Sequence, residues 1–202
     1  MSETAARTDW TAVVSAAHAA LRDVTAAVPA DGWGLPTPCA GWTVTHVLQH
    51  AAGDQLAFAS ALTGGPGPED DPFTPSGRLG GTPDALLRPA LDAAAAAWAR
   101  VPADAGEVAS PIPPHAFPRP VVAAMCALDA AVHAWDIAVA TGQASPLTPG
   151  VAEPLREIAP SFVEPLRQYG AYAPALEPAA GEDAAEGLLR FLGRDPRWTP
   201  GA

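Results

Sequence analysis

Apolar residues recur every three to four positions through most of the chain, and proline and glycine interrupt the runs. That spacing predicts helices. The first runs from about Trp10 to Val28 and stops at Pro29. The second runs from about Thr43 to Thr63 and ends at Gly64-Gly65. A third opens at Thr82-Pro83, a cap residue followed by proline at the first helical position, and reaches Val101. The fourth spans about Pro120 to Thr141 before Gly142. A fifth, Pro149 to Gln168, must kink or break at Pro154, Pro160 or Pro165, and a short last helix covers Asp183 to Leu192. No segment alternates convincingly with the two-residue period of a strand, and no repeat is visible. The pattern is that of an all-α protein. A helix bundle over about 8–141 is followed by a helical extension over about 149–202, in one domain. The connection from Gly64 to Thr82 is long; stretched at ~3.3 Å per residue it reaches about 60 Å, against about 30 Å for the second helix. A simple up-down-up-down order is therefore not forced.

The fourth helix carries the chemistry. VVAAMCALDAAVHAWDIAVA (121–140) is apolar almost all round except for Asp129, His133 and Asp136. At about 100° per residue these three fall within roughly 60° on one face. A helix this apolar belongs in the core, and a buried carboxylate must find a positive partner or take up a proton. An arginine such as Arg88 or Arg119 could serve; a metal ion is the sharper candidate. Asp129 and His133 sit one turn apart and can share one ion. The second helix offers His46, His50 and Asp54 at the same spacing. Two histidines and a carboxylate with an open position suit catalytic zinc and equally a non-haem iron site.

Composition narrows the partners. The net charge is −11, and all eleven cationic residues are arginine. An acidic surface of this kind offers no footprint for nucleic acid or anionic lipid. Two cysteines make no disulfide framework, the start lacks a basic-then-apolar leader, and no uninterrupted apolar run is as long as a membrane span. A soluble cytoplasmic protein is expected. No phosphate-binding glycine loop and no G-x-S-x-G motif is present.

PTPCAGWTVTHVLQH (36–50) and LDAAVHAWDIAVATG (128–142) together resemble the DinB-like superfamily, and within it the metal-binding domain of the mycothiol-dependent maleylpyruvate isomerase type. The ending FLGRDPRW (191–198) resembles that of a large actinobacterial subgroup. The resemblance implies a DinB-like four-helix bundle holding one divalent ion on His50, Asp129 and His133. Zinc is the first expectation, with nickel or iron as alternatives, and a low-molecular-weight thiol such as mycothiol as cosubstrate. The isomerase carries glutamate where Asp129 stands, and a separate C-terminal domain that helps form its substrate site. Isomerisation of maleylpyruvate itself is therefore not the expected reaction. Asp54 and Asp136 are expected to support the ligands, since metal-bound histidine commonly donates its other N–H to a carboxylate. His46 is grouped with them but reads more simply as a solvated helix residue, and His46 and Asp54 are the nearest candidates for a general acid or base. A thiol-dependent transferase or isomerase acting on a small electrophile follows, against a metal-binding protein without turnover or an iron enzyme. A homodimer is compatible with the tail.

Other polar residues have plainer readings. Cys39 reads as a small buried hydrophobe and Cys126 as an inert core thiol. Trp42 and Trp135 read as core aromatics near the cavity, His18 and His115 as exposed, and Glu69-Asp70-Asp71 as a solvated loop.

Overall fold

The computed structural model describes residues 8–201. α1 spans Trp10–Ala26, α2 Val44–Thr63, α3 Pro83–Trp98 and α4 Arg119–Ala140. α5 (Pro149–Ile158), α6 (Pro160–Arg167) and α7 (Ala184–Phe191) form the extension. Local chemistry sets the ends. Asp9 accepts the Thr11 and Ala12 amides at the start of α1, Thr82 accepts the Ala85 amide before Pro83, and Asp183 with Glu186 makes a reciprocal cap on α7. Gly64 stops α2 at φ 71°, in the left-handed region that glycine enters without cost.

Side-chain pairs give the helix directions. Arg119 meets Thr11, Cys126 meets His18, and Gln143 meets Val24, so α1 and α4 run parallel. His50 faces His133 while Gln55 faces Cys126, so α2 runs antiparallel to α4. The α2–α3 loop doubles back along α2: Ser60 bonds Gly65, Pro72 lies on Gly53, and Gly77 touches Gln49 and His46. It retraces about 25 Å of helix, so α3 starts beside the beginning of α2 and runs parallel to it. The order is up-down-down-up, and the long loop is what permits it. α1 packs on α4 and α3, and α2 on α3 and α4, closing a four-helix ring.

α4 is the centre. It is long and apolar enough to cross a membrane, with mean hydropathy 1.5, yet 89% of that window is buried inside the fold. Its alanines let neighbours approach closely, and fully buried Leu128 and Ile137 each contribute about 1.5–3 kcal/mol.

Two expectations need correction, and the break expected in the fifth helix is located. Residues read as loop form a small antiparallel hairpin, β1 (Glu107–Ala109) with β2 (Ala116–Pro118); three-residue strands are too short to show a period. The fifth helix is two, divided at Ala159, with Pro160 starting α6 where its missing N–H costs nothing. His18 is buried, and it bonds Gln55 at 2.8 Å.

Candidate metal centre

The loop before α2 is a tight turn. Thr37 bonds Trp42 O through both its amide and its hydroxyl, and Gly41 takes φ 81°. This turn sets Trp42 against the His50 ring at 5.0 Å and Cys39 against Asp136. On the other side, Gly53 admits Pro72; a Cβ there would lie 2.8 Å from the proline ring. Pro72 thereby brings its carbonyl to His50 Nδ1 at 2.9 Å. A carbonyl only accepts, so in the neutral imidazole Nδ1 carries the hydrogen and Nε2 keeps a lone pair.

His133 is held the same way from α4. Its Nδ1 donates to Asp136 Oδ2 at 2.9 Å. Arg194 grips both oxygens of that carboxylate, Nε to Oδ1 at 2.9 Å and Nη2 to Oδ2 at 2.8 Å, and the Cys39 thiol adds a donor at 3.2 Å. Burial pushes the Asp136 carboxyl up, but the charge and hydrogen bonds of Arg194, with that of His133, outweigh it and hold it well below the ordinary range. For His133, burial dominates and pushes the imidazole down to about 4. Its Nε2 is therefore also a bare acceptor.

Asp129 completes the set. Gln55 Nε2 donates to Asp129 Oδ2 at 3.0 Å, leaving Oδ1 at 3.4 Å from His133 Nε2 and 3.6 Å from His50 Nε2. Gln55 cannot turn its amide, because its Oε1 accepts from His18 and the Cys126 thiol while its Nε2 also donates to Cys126 O. Three lone pairs thus converge with no hydrogen between them. Such an arrangement repels itself unless a cation or a proton sits inside. Burial first, and then the charge of Asp54, drive the Asp129 carboxyl well above its usual range, so the side chains around it do not answer its charge. A tetrahedral site with bonds of 2.0–2.1 Å has ligand–ligand edges of about 3.3 Å. The edges at Asp129 fit, and two imidazoles with a carboxylate are a donor set for zinc, nickel or iron.

Asp54, expected behind a ligand, instead faces the same space: its Oδ2 is 3.7 Å from His50 Nε2, and burial raises its carboxyl. Asp136 stands where a supporting carboxylate should, behind His133. His46 does not support the ligands. Its Nδ1 accepts the Thr43 amide at 3.2 Å, capping α2 where helix amides lack partners, and its ring lies against Gly77. Neither proposed arginine neutralises the acid: Arg88 pairs with Asp84 on the surface, and Arg119 lies over Trp98 and bonds Thr11.

Cys39, His133 and Asp136 also bring ligand atoms within 4.8 Å of one another. There the guanidinium already supplies the positive charge, with Nη2 3.5 Å from Cys39 Sγ. Burial and the Asp136 charge push that thiol up, so it stays protonated and is a poor ligand. Gln55 and Arg194 are the contributors that sequence reasoning missed. Among the aromatic neighbours, Phe73 meets the His50 ring edge-on at 5.4 Å while remaining 63% exposed.

Residues 14–138 match the family described as mycothiol maleylpyruvate isomerase N-terminal domain. Two relatives from Mycobacterium tuberculosis, Uncharacterized protein MT0763 (strain CDC 1551 / Oshkosh) and Uncharacterized protein Rv0738 (strain ATCC 25618 / H37Rv), are each 33% identical over 190 residues. The alignments cover 90% of this chain and 97% of each relative. No solved structure matches the chain.

Proposed function

The chain belongs to the mycothiol maleylpyruvate isomerase N-terminal domain family, within the DinB-like superfamily, and on that footing we propose that it binds one divalent ion, zinc foremost, and serves a thiol-dependent transferase or isomerase acting on a small electrophile. The observation that carries the reading is the convergence of His50 Nε2, His133 Nε2 and Asp129 Oδ1, all within 4.8 Å of one another, with the two edges at Asp129 near those of a tetrahedral zinc site. Bound there, the ion would supply Lewis acidity at its open position, enough to keep a thiol sulfur as thiolate near neutral pH.

The chain's own residues set the rest. His50 and His133 present Nε2 because Pro72 and Asp136 occupy their other nitrogens. Asp54 Oδ2, on the same space, is placed to take the proton of an arriving thiol. With His46 committed to its helix cap, Asp54 is the base we assign. Trp42 and Phe73 line the His50 side and give an apolar electrophile a surface to rest on.

The experiment has two stages. Elemental analysis of untagged protein should find one zinc per chain, lost in His50→Ala and His133→Ala. Mycothiol-dependent consumption of chlorodinitrobenzene should then fall with the metal and fall again in Asp54→Asn with zinc retained. Full metal binding without any turnover over a panel of small electrophiles would favour a binding protein, and retention of metal in both histidine variants would refute the site.

A further inference from the structure

We propose that Arg194, delivered by the C-terminal extension, is a positioning residue of the metal centre, acting through Asp136 on His133. The inference rests on the metal-site reading above and extends it to a part of the chain outside the four-helix ring.

The stop of α7 aims this residue. Leu192 ends the helix, Gly193 follows at φ 80°, its amide bonds Arg190 O at 3.0 Å, and the Arg194 amide bonds Leu189 O at 2.8 Å. That is the paired closure of a Schellman stop, which turns the chain sharply. Glycine is required twice over, because a Cβ at Gly193 would also lie 2.7 Å from Ala173 Cβ and 2.8 Å from Pro174 O. The turn sends Arg194 inward to a carboxylate 58 residues earlier.

At its far end the guanidinium fixes both Asp136 oxygens, and the Asp136 side chain has no exposure at all. A carboxylate held at two points cannot rotate, so Oδ2 stays aimed at His133 Nδ1. Fixed acceptors of this kind select the imidazole tautomer and ring orientation of a ligand. Without Arg194, Asp136 would be a buried charge lacking its cation and would move to find another donor, and His133 would lose the anchor that keeps Nε2 toward Asp129. A mere staple for the tail would hold the extension in place and leave His133 unchanged. That difference is measurable.

The test compares full-length wild type, Arg194→Ala, Arg194→Lys, Asp136→Asn and the Arg194→Ala/Asp136→Asn double variant. Zinc affinity is measured by competition with a chromophoric chelator, and the His133 tautomer by long-range nitrogen-15 correlation in metal-free protein. Arg194→Ala and Asp136→Asn should each weaken zinc by about 10–100-fold, the usual cost of losing an outer-shell partner. The double variant should be no weaker than the worse single one, because the two residues act in series. His133 should be purely Nδ1–H in wild type and mixed in Arg194→Ala. Arg194→Lys, which keeps the charge without the two-point grip, should fall between them and serves alone if the alanine variant does not fold. Unchanged affinity and tautomer in a folded Arg194 variant, or penalties that multiply, would overturn the proposal. Failure of wild type to bind zinc would defeat the metal reading instead, while the tautomer still reports on Arg194.

Discussion

Replacing Gln55 by leucine keeps the volume of a fully buried residue and removes its amide. Four groups then lose a bond: Asp129 Oδ2, His18 Nε2–H, the Cys126 thiol, and the Cys126 carbonyl, which lies inside α4 and keeps its place in the helix. Each buried polar group left unpaired costs about 1–3 kcal/mol, with the weak thiol at the bottom of that range. We expect Gln55→Leu to lose roughly 3–5 kcal/mol of unfolding free energy in chelator, read by urea titration at unchanged m. For a domain of this size that corresponds to a fall of about 6–20 °C in Tm. Zinc affinity should fall as well, by about 10-fold or more, because Asp129 Oδ1 is no longer held toward the imidazoles. A loss under about 1 kcal/mol with normal zinc affinity would refute the claim that this network orients the carboxylate.

Zinc binding should release a proton wherever Asp129 is still protonated in the metal-free protein. Burial leaves His133 unprotonated well above pH 4, whereas Asp129 has its carboxyl raised and gives up a proton to the ion. The sign follows: affinity drops as pH falls through the range where Asp129 is protonated, by about tenfold per unit. Calorimetry in buffers of different ionisation enthalpy reads this, and zero release contradicts it. Cys39→Ala should keep one zinc per chain and cost under about 1 kcal/mol, since Arg194 rather than a metal answers the charge beside that thiol. Loss of zinc in Cys39→Ala, by elemental analysis, would make Cys39 a ligand.

The bundle was legible because α4 is apolar on every side and because each long helix carries its own stop or cap in the sequence. The paired positions of Asp129 and His133 followed from one turn of helix, and His50 from the resemblance. His18 was misread although the signal was present: it lies four residues after Val14 and three before Leu21, on the buried stripe of α1. Arg194 was not legible as a partner. A buried acid demands a cation, but any of eleven arginines could have met it, and only the three-dimensional return of the tail selects one. Asp54 and Asp136 show the same limit. Both share the ligands' helices, yet spacing alone does not tell which faces the space between the ligands and which stands behind a histidine. The Pro72 carbonyl, a backbone group set by a loop contact, carries no side-chain signature.

The most direct test is X-ray absorption at the zinc edge on protein loaded with one equivalent and free of added thiol. Two imidazole nitrogens and carboxylate oxygen at about 2.0–2.1 Å, with the imidazole signature reduced in His50→Ala, is the predicted result. A sulfur shell near 2.3 Å supplied by the protein, or zinc bound without imidazole, would contradict it.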